Sequence, residues 1–235
     1  MYSFDTRVRY SETDAAGKLT LEAILDYFQD VSTFHSEDLG LGIEYLGEHH
    51  LAWVLSAWQI VVERYPLCCE QIKVATFPYD FKGFMGTRNF YMEDATGKKA
   101  AYANSIWTLM DIQQGRPARI LPEMKEGYVL EPKLPMVYAP RKIELPDNLA
   151  SQESIEIKPY HLDTNHHVNN GQYLRMALEY ADTDVEIAQM RAEYKKSAVL
   201  GDVIIPRTLT EENRYTASLE NETGDVYAVI QCTYR

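Results

Sequence analysis

The 235-residue sequence predicts an α+β protein built from two tandem copies of one unit, each a long helix wrapped by a curved antiparallel sheet. Three observations predict it. Tyr10-Ser-Glu-Thr-Asp14 and its sequel reappear 149 positions later (163 minus 14), so that Asp14 falls on Asp163, Ala16 on Asn165, Gly17 on His166, Lys18 on His167 and Leu19 on Val168. Each copy then runs through the same order of elements: a strand, an Asp-containing turn, a helix and four strand-like runs. Between the copies, residues 121–146 hold five prolines and little periodicity, which marks an interdomain linker.

In chain order, residues 2–10 read as a strand leading into the first turn. The helix that follows carries Ile24, Leu25, Phe28 and Val31, an apolar stripe at 3.6-residue spacing that faces a core. Strand-like runs cover 51–64, 69–81, 87–94 and 99–111 in the first half, and 185–196, 202–210, 215–220 and 226–234 in the second. The turn signals Asp94-Ala-Thr-Gly97 and Asn221-Glu-Thr-Gly-Asp225 separate strands in the two halves. The expected boundaries are 1–120 for the first unit, 121–150 for the linker and 151–235 for the second unit.

Composition narrows the function classes. Hydrophobic content of 46% and charged content of 25% are those of a globular protein, and the net charge of −12 argues against broad nucleic-acid binding, which needs a basic face. Cys68, Cys69 and Cys232 show no zinc spacing, and adjacent cysteines are poorly placed to bond each other, so a reducing compartment is expected. No segment approaches the roughly 18 continuous apolar residues of a membrane span, and the chain opens on a strand-like run rather than a signal peptide. A cytoplasmic location is the expectation.

Residues 161–173, His-Leu-Asp-Thr-Asn-His-His-Val-Asn-Asn-Gly-Gln-Tyr, concentrate the chemistry. Asp163, Asn165 and His167 alternate, so an extended backbone points all three to one side. Asn169 or Asn170 suits the N-cap of a helix carrying Tyr173, Leu174, Ala177 and Leu178. The unpaired N–H groups at such a helix start suit a developing oxyanion. Taken one at a time, these are ordinary turn residues and exposed loop histidines; taken together, they make a site. The first copy has Ala16 and Lys18 where the second has Asn165 and His167, which implies one active site per chain and leaves the first half to shape a binding cavity. His166 falls off the alternation and reads as structural. The adjacency of His166 and His167 disfavours a metal site with His161 and Asp163.

The sequence resembles the acyl-acyl-carrier-protein thioesterases of plants and bacteria. The resemblance rests on Asp163-Thr-Asn-His-His-Val-Asn-Asn170, on Trp53-Val-Leu-Ser-Ala-Trp-Gln-Ile-Val-Val-Glu-Arg-Tyr-Pro66 and on Gly86-Thr-Arg-Asn-Phe90, with Ser105-Ile-Trp107 and Glu193-Tyr-Lys-Lys196 in support. It covers almost the whole chain. It implies a double hotdog fold, no metal and no organic cofactor, and it places Asp163, Asn165 and His167 on the family's catalytic positions. The family also uses an acid and then a cysteine just after the Glu-Tyr-Arg-Arg segment; here those positions are Ser197 and Ala198. A cysteine nucleophile is thereby ruled out at this place, and Ser197 is left as the fourth site residue, able to hold a water by hydrogen bonding. Glu193 is a poor substitute for the missing acid, because four residues along a strand span about 13 Å.

The activity so implied is thioester hydrolysis that releases free fatty acid. His167 is the natural general base, Asp163 orients it or binds the water, and Asn165 holds the water or the thioester oxygen. Phe28, Trp53 and Trp58 are candidates for the acyl-chain tunnel, with core packing as the plain alternative; Asn169 and Asn170 complete the substrate-binding set. The implied partner is an acyl carrier protein bearing a phosphopantetheine-linked acyl chain. That partner is acidic, so docking needs a local basic cluster: Arg116, Arg119, Lys125, Arg141 and Lys142, or Lys195, Lys196, Arg207 and Arg214. A homodimer is compatible with the sequence. The rival readings are an acyl-CoA thioesterase of the same fold, a non-catalytic acyl-binding module and, less favoured, a hotdog dehydratase.

Overall fold

The computed structural model describes residues 1–182 and 185–235. The chain forms two compact units, Met1–Ser56 with Ile60–Tyr138, and Ala57–Gln59 with Ala139–Arg235.

In the first unit, β1 (Tyr2–Arg7) leads to helix α1 (Leu21–Asp38), a short helix α2 (Ile43–Glu48), then β2 (Leu51–Val62), β3 (Gln71–Lys82), β4 (Met85–Asp94), β5 (Lys99–Asp111), β6 (Arg116–Pro117) and helix α3 (Pro122–Gly127). The sheet order is β1-β3-β4-β5-β2, with β6 beside β5. Antiparallel pairing joins β1 to β3, β3 to β4 and β4 to β5. Helix α1 starts where the Thr20 hydroxyl accepts the Ala23 N–H at 3.2 Å. Its stripe of Ile24, Leu25, Phe28 and Val31 is fully buried, and the Phe28 ring lies 5.4 Å from Phe90 of β4. Removing that apolar face from water is what binds the helix to the sheet.

Residues 121–150, expected as a linker, divide between the units. Ile120, Met124 and Tyr128 recur at helical spacing and pack into a cluster with Leu41, Leu51 and Leu109. Farther on, the buried Asn89 Oδ1 accepts from the Leu134 N–H at 3.0 Å and the Tyr138 hydroxyl at 2.9 Å. The first unit therefore continues to Tyr138. Prolines make this stretch extended without making it loose. From Ala139 the chain belongs to the second unit. There the buried Glu193 carboxylate accepts the Ile143 N–H at 3.1 Å, and Arg191 donates to the carbonyls of Pro140 and Lys142 at 2.6 and 3.0 Å. Glu193 is thus a clamp on the incoming chain.

The second unit contains β7 (Ala150–Ser151), β8 (Ile155–Glu156), helix α4 (Asn170–Leu178), β9 (Ile187–Tyr194), β10 (Val203–Glu211), β11 (Arg214–Glu220) and β12 (Val226–Tyr234). Its sheet order is β9-β12-β11-β10-β7, and β8 also pairs with β10. Tyr173, Leu174, Met176 and Ala177 form the buried face of α4, which packs on β10, β11 and β12.

The duplication is repeated bond for bond. In the first unit the Asp14 N–H donates to the Lys18 carbonyl at 2.8 Å, and Asp14 Oδ1 accepts the N–H groups of Ala16 and Lys18, each at 2.9 Å. In the second, the Asp163 N–H donates to the His167 carbonyl at 2.8 Å, and Asp163 Oδ1 accepts from Asn165 and His167 at 2.8 and 3.2 Å. A loop crossing behind each turn matches too, at a shift of 132 (198 minus 66). Leu19 donates to the Pro66 carbonyl and Val168 to that of Ala198; the Glu70 carboxylate accepts the Leu67 N–H and the Asp202 carboxylate that of Val199. Even the hairpin tips agree: Asp94 caps the N–H groups of Thr96 and Lys98, as Asn221 caps those of Thr223 and Asp225.

One pair of matched positions differs in an informative way. Cys69 has φ of +67° where its counterpart Gly201 has +84°, and a side chain in that region crowds the following carbonyl. Cys69→Gly is expected to raise stability by about 0.5–1 kcal/mol, read as a higher denaturant midpoint, whereas Gly201→Cys should lower it.

Candidate active site

The extended, alternating geometry expected for residues 163–167 is not what forms. Leu162 and Val168 bridge, and the five residues between them make a tight turn closed by Asp163. His166, with φ of +59°, occupies the left-handed position that Gly17 holds in the first unit. Asp163, Asn165 and His167 are still brought together, but by the turn rather than by strand alternation. Asp163 is half-buried; Asn165, His166 and His167 are exposed on the second unit. One oxygen of Asp163 is engaged by two backbone amides, so its first task is to shape the turn.

Ser197 lies beside this turn. His167 bridges Val199, and Val168 donates to the Ala198 carbonyl at 2.9 Å, so the 197–199 segment forms a short edge against the His167 side of the turn. Ser197 is exposed and directly precedes the buried Ala198. The Ala198 N–H donates to the Tyr173 hydroxyl at 2.7 Å, and the Val199 N–H to Asp202 Oδ2 at 3.0 Å. The Tyr227 hydroxyl donates to that same Asp202 oxygen at 3.0 Å. Burial pushes the Tyr173 phenol up to about 12, and the Ala198 amide acts in the opposite direction. Tyr173 therefore stays neutral and keeps its hydroxyl proton across the physiological range.

At the start of α4, Asn169 is the N-cap, and its side-chain oxygen accepts the Gly171 N–H at 2.8 Å while its carbonyl accepts that of Gln172 at 2.9 Å. Two backbone donors expected to serve an oxyanion are thus already engaged, and the Asn169 side chain with them. The Asn170 carbonyl accepts the Tyr194 hydroxyl at 3.2 Å. His161, a metal candidate by residue type, is buried behind the turn; its Nδ1 accepts the Lys158 N–H at 3.0 Å, and its carbonyl accepts that of Asn169. Burial, followed by the nearby Arg175 and Lys158 cations, lowers its pKa, which keeps the ring neutral and able to accept. Among the described residues, no three His, Cys, Asp or Glu side chains group as a metal site requires.

The candidates for acyl binding are buried or half-buried. Phe28 is fully buried under the first sheet, Trp58 is 2% exposed, and Trp53 stacks on Phe81 with ring centroids 6.4 Å apart. Gly86 lets these last two rings approach the backbone, since a Cβ there would lie 3.1 Å from Phe81 and 3.2 Å from Trp53. Tyr173 was legible only as a core residue of α4. Its counterpart Ile24 offered the missing signal: a hydroxyl had replaced an apolar side chain on the buried face of a duplicated helix.

With this geometry in place, the likeness to known families is decisive. Residues 1–128 match the acyl-ACP thioesterase N-terminal domain, and residues 146–235 match the acyl-ACP thioesterase C-terminal domain. The chain belongs to the acyl-ACP thioesterase family. It is 25% identical over 240 residues to the chloroplastic oleoyl-acyl carrier protein thioesterase 2 of Arabidopsis thaliana, covering 92% of this chain and 65% of that one. It is 24% identical over 231 residues to the chloroplastic palmitoyl-acyl carrier protein thioesterase of Gossypium hirsutum, covering 91% and 56%. This family member thus spans less than two thirds of the length of those plant relatives. In fold it is similar to an acyl-ACP thioesterase from Bacteroides thetaiotaomicron, with a TM-score of 0.90 at 22% identity over 99% of this chain and 97% of that one. The 12:0-ACP thioesterase of Umbellularia californica gives 0.87 at 18% identity, over 100% and 96%. The fold of this thioesterase-family chain is two hotdog units in tandem. No helix among the described residues is long and apolar enough to cross a membrane.

Proposed function

We propose that this protein hydrolyses the thioester of acyl-acyl carrier protein and releases a free fatty acid. One observation carries the reading. Of two turns with the same backbone hydrogen bonds, one presents Asn165 and His167 beside Ser197, and the other presents Ala16 and Lys18. The same scaffold therefore occurs once with a base and an amide and once without them.

In this reading His167 takes a proton from water as the water oxygen bonds to the thioester carbonyl carbon. The oxyanion that develops accepts from the Asn165 carboxamide; one such donor is worth about 3 kcal/mol in comparable sites. The carbon–sulfur bond then breaks, the thiolate regains the proton from the His167 imidazolium, and acid and thiol depart. Asp163 contributes by holding the His167 and Asn165 amides in the turn. Ser197 holds the attacking water, in place of an acid.

For the carrier, ion pairs occupy members of both clusters, Lys142 of the first being bound to Glu144 at 2.9 Å, and three exposed residues of the first carry the assignment. Lys196 and Arg207 are bound to Asp225 and Glu220 at 3.3 and 3.2 Å. Arg116, Arg119 and Lys125 are exposed, and no ion pair involves them among the described residues. We assign carrier docking to these three.

Thiol release from matched acyl-carrier and acyl-CoA panels tests the function. Faster release from the carrier panel is expected; release from CoA alone would make the protein an acyl-CoA thioesterase. Binding without release would favour the acyl-binding module, which Ser197 keeps in view because the family's acid is missing there. Ser197→Glu is expected to raise kcat or leave it unchanged. A folded Ser197→Glu protein with no activity would contradict the place given to this residue.

A further inference from the structure

The two units differ at a contact between the helix and the loop that crosses behind the turn. In the first, the residue behind the turn is Pro66, which has no N–H, and the helix residue at the matched position is Ile24. In the second, the matched residues are Ala198 and Tyr173 (198 minus 132 is 66; 173 minus 149 is 24), and a 2.7 Å hydrogen bond joins them. Both Tyr173 and Ala198 are at most 2% exposed. A buried amide without an acceptor costs about 1–3 kcal/mol, so an N–H at position 198 demands a partner that position 66 never needed. The matched Pro66 and Ile24 place neither an N–H nor a hydroxyl there. The half with the base carries the polar pair instead.

The consequence lies in the edge that the pair holds. Tyr173 fixes the Ala198 amide and Asp202 fixes the Val199 amide, so two successive peptide units are anchored from below. In the first unit the matched loop is held through Glu70 on Leu67 and through the Gly17 carbonyl on Cys68, with no side chain of the helix taking part at Pro66. The edge held by the helix tyrosine is the one that bridges His167 and carries Ser197. Neither amide is then available to an oxyanion, which leaves Asn165 in that task.

Accepting the function proposed above, we infer that Tyr173 is a positioning residue: its hydroxyl, acting through the Ala198 N–H, holds the 197–199 edge so that Ser197 and His167 keep their separation during turnover. Small displacements of such groups lower rates steeply.

The test is a double-mutant cycle with the full chain and acyl carrier thioester as substrate. Tyr173→Phe removes one oxygen and is expected to lower kcat about tenfold or more with KM within about twofold. In an Ala198→Pro background, which lacks the amide as Pro66 does, Tyr173→Phe should have no further effect on kcat. Amide hydrogen exchange supplies a reading independent of activity and of how well the proline variant folds: the Ala198 N–H should exchange faster in Tyr173→Phe while the β11 and β12 amides stay protected. A folded Tyr173→Phe enzyme with unchanged kcat, an undiminished effect in the proline background, or unchanged exchange at Ala198 would each overturn the inference. Should the unaltered protein release no thiol from any substrate, the proposed function and the positioning role fail together, while the exchange arm still reports whether Tyr173 holds the edge.

Discussion

Replacing His167 by alanine is expected to reduce kcat for thioester hydrolysis by about 10²–10⁴, the usual contribution of a positioned general base. The protein should remain folded. The imidazole is exposed, and the backbone groups that His167 lends to the turn, its N–H to Asp163 and its carbonyl to the Asp163 amide, survive the substitution. The matched Lys18 shows that the same turn closes without an imidazole. Initial rates with purified His167→Ala, alongside circular dichroism, check the expectation. Near-normal hydrolysis would remove His167 from the mechanism.

Asp163→Ala is expected to do more than abolish catalysis. One oxygen of this carboxylate satisfies two backbone amides, so its loss should cost about 1–3 kcal/mol of stability as well as orders of magnitude in kcat. The repeat supplies the control. Asp14→Ala removes the same two bonds from the other half and should cost a similar stability with far less effect on rate. Asp163→Asn keeps a carbonyl oxygen for the two amides and should retain most of the stability. If Asp163→Asn also keeps most of the activity, the carboxylate is a turn former and its negative charge is dispensable. A large fall in kcat with Asp163→Asn at unchanged midpoint would assign the charge a direct part in activating His167 or water. Urea midpoints and kcat for these three variants decide between the two.

Some of this was legible from residue types alone. The stripe Ile24, Leu25, Phe28 and Val31 sits at helical spacing and is fully buried in α1, because one apolar face must be taken out of water whatever lies opposite. The strand-like run 99–111 coincides with β5, and 226–234 with β12. Residues 121–138 depart from the expectation because proline content signals extended backbone, whereas membership of a unit depends on what Met124 and Asn89 touch. The turn at 163–167 departs for a related reason. Alternating polar residues are compatible with a strand, and only the bond from the Asp163 amide to the His167 carbonyl closes the chain into a turn.

Residue identity and spacing alone gave the duplicated architecture, an acid in both turns with the amide and imidazole in one half only, and the departure at Ser197 and Ala198. These are properties of residue identity and spacing, which act locally and repeat along the chain. Tertiary structure alone decided how Asp163 spends its oxygen, which amides at the start of α4 are already engaged, and that a tyrosine on a buried helix face holds the edge beside His167. The last depends on a bond between residues 25 positions apart, and the first two on short-range bonds whose direction residue types do not record. Hydrophobic periodicity has no direction and carries no record of them.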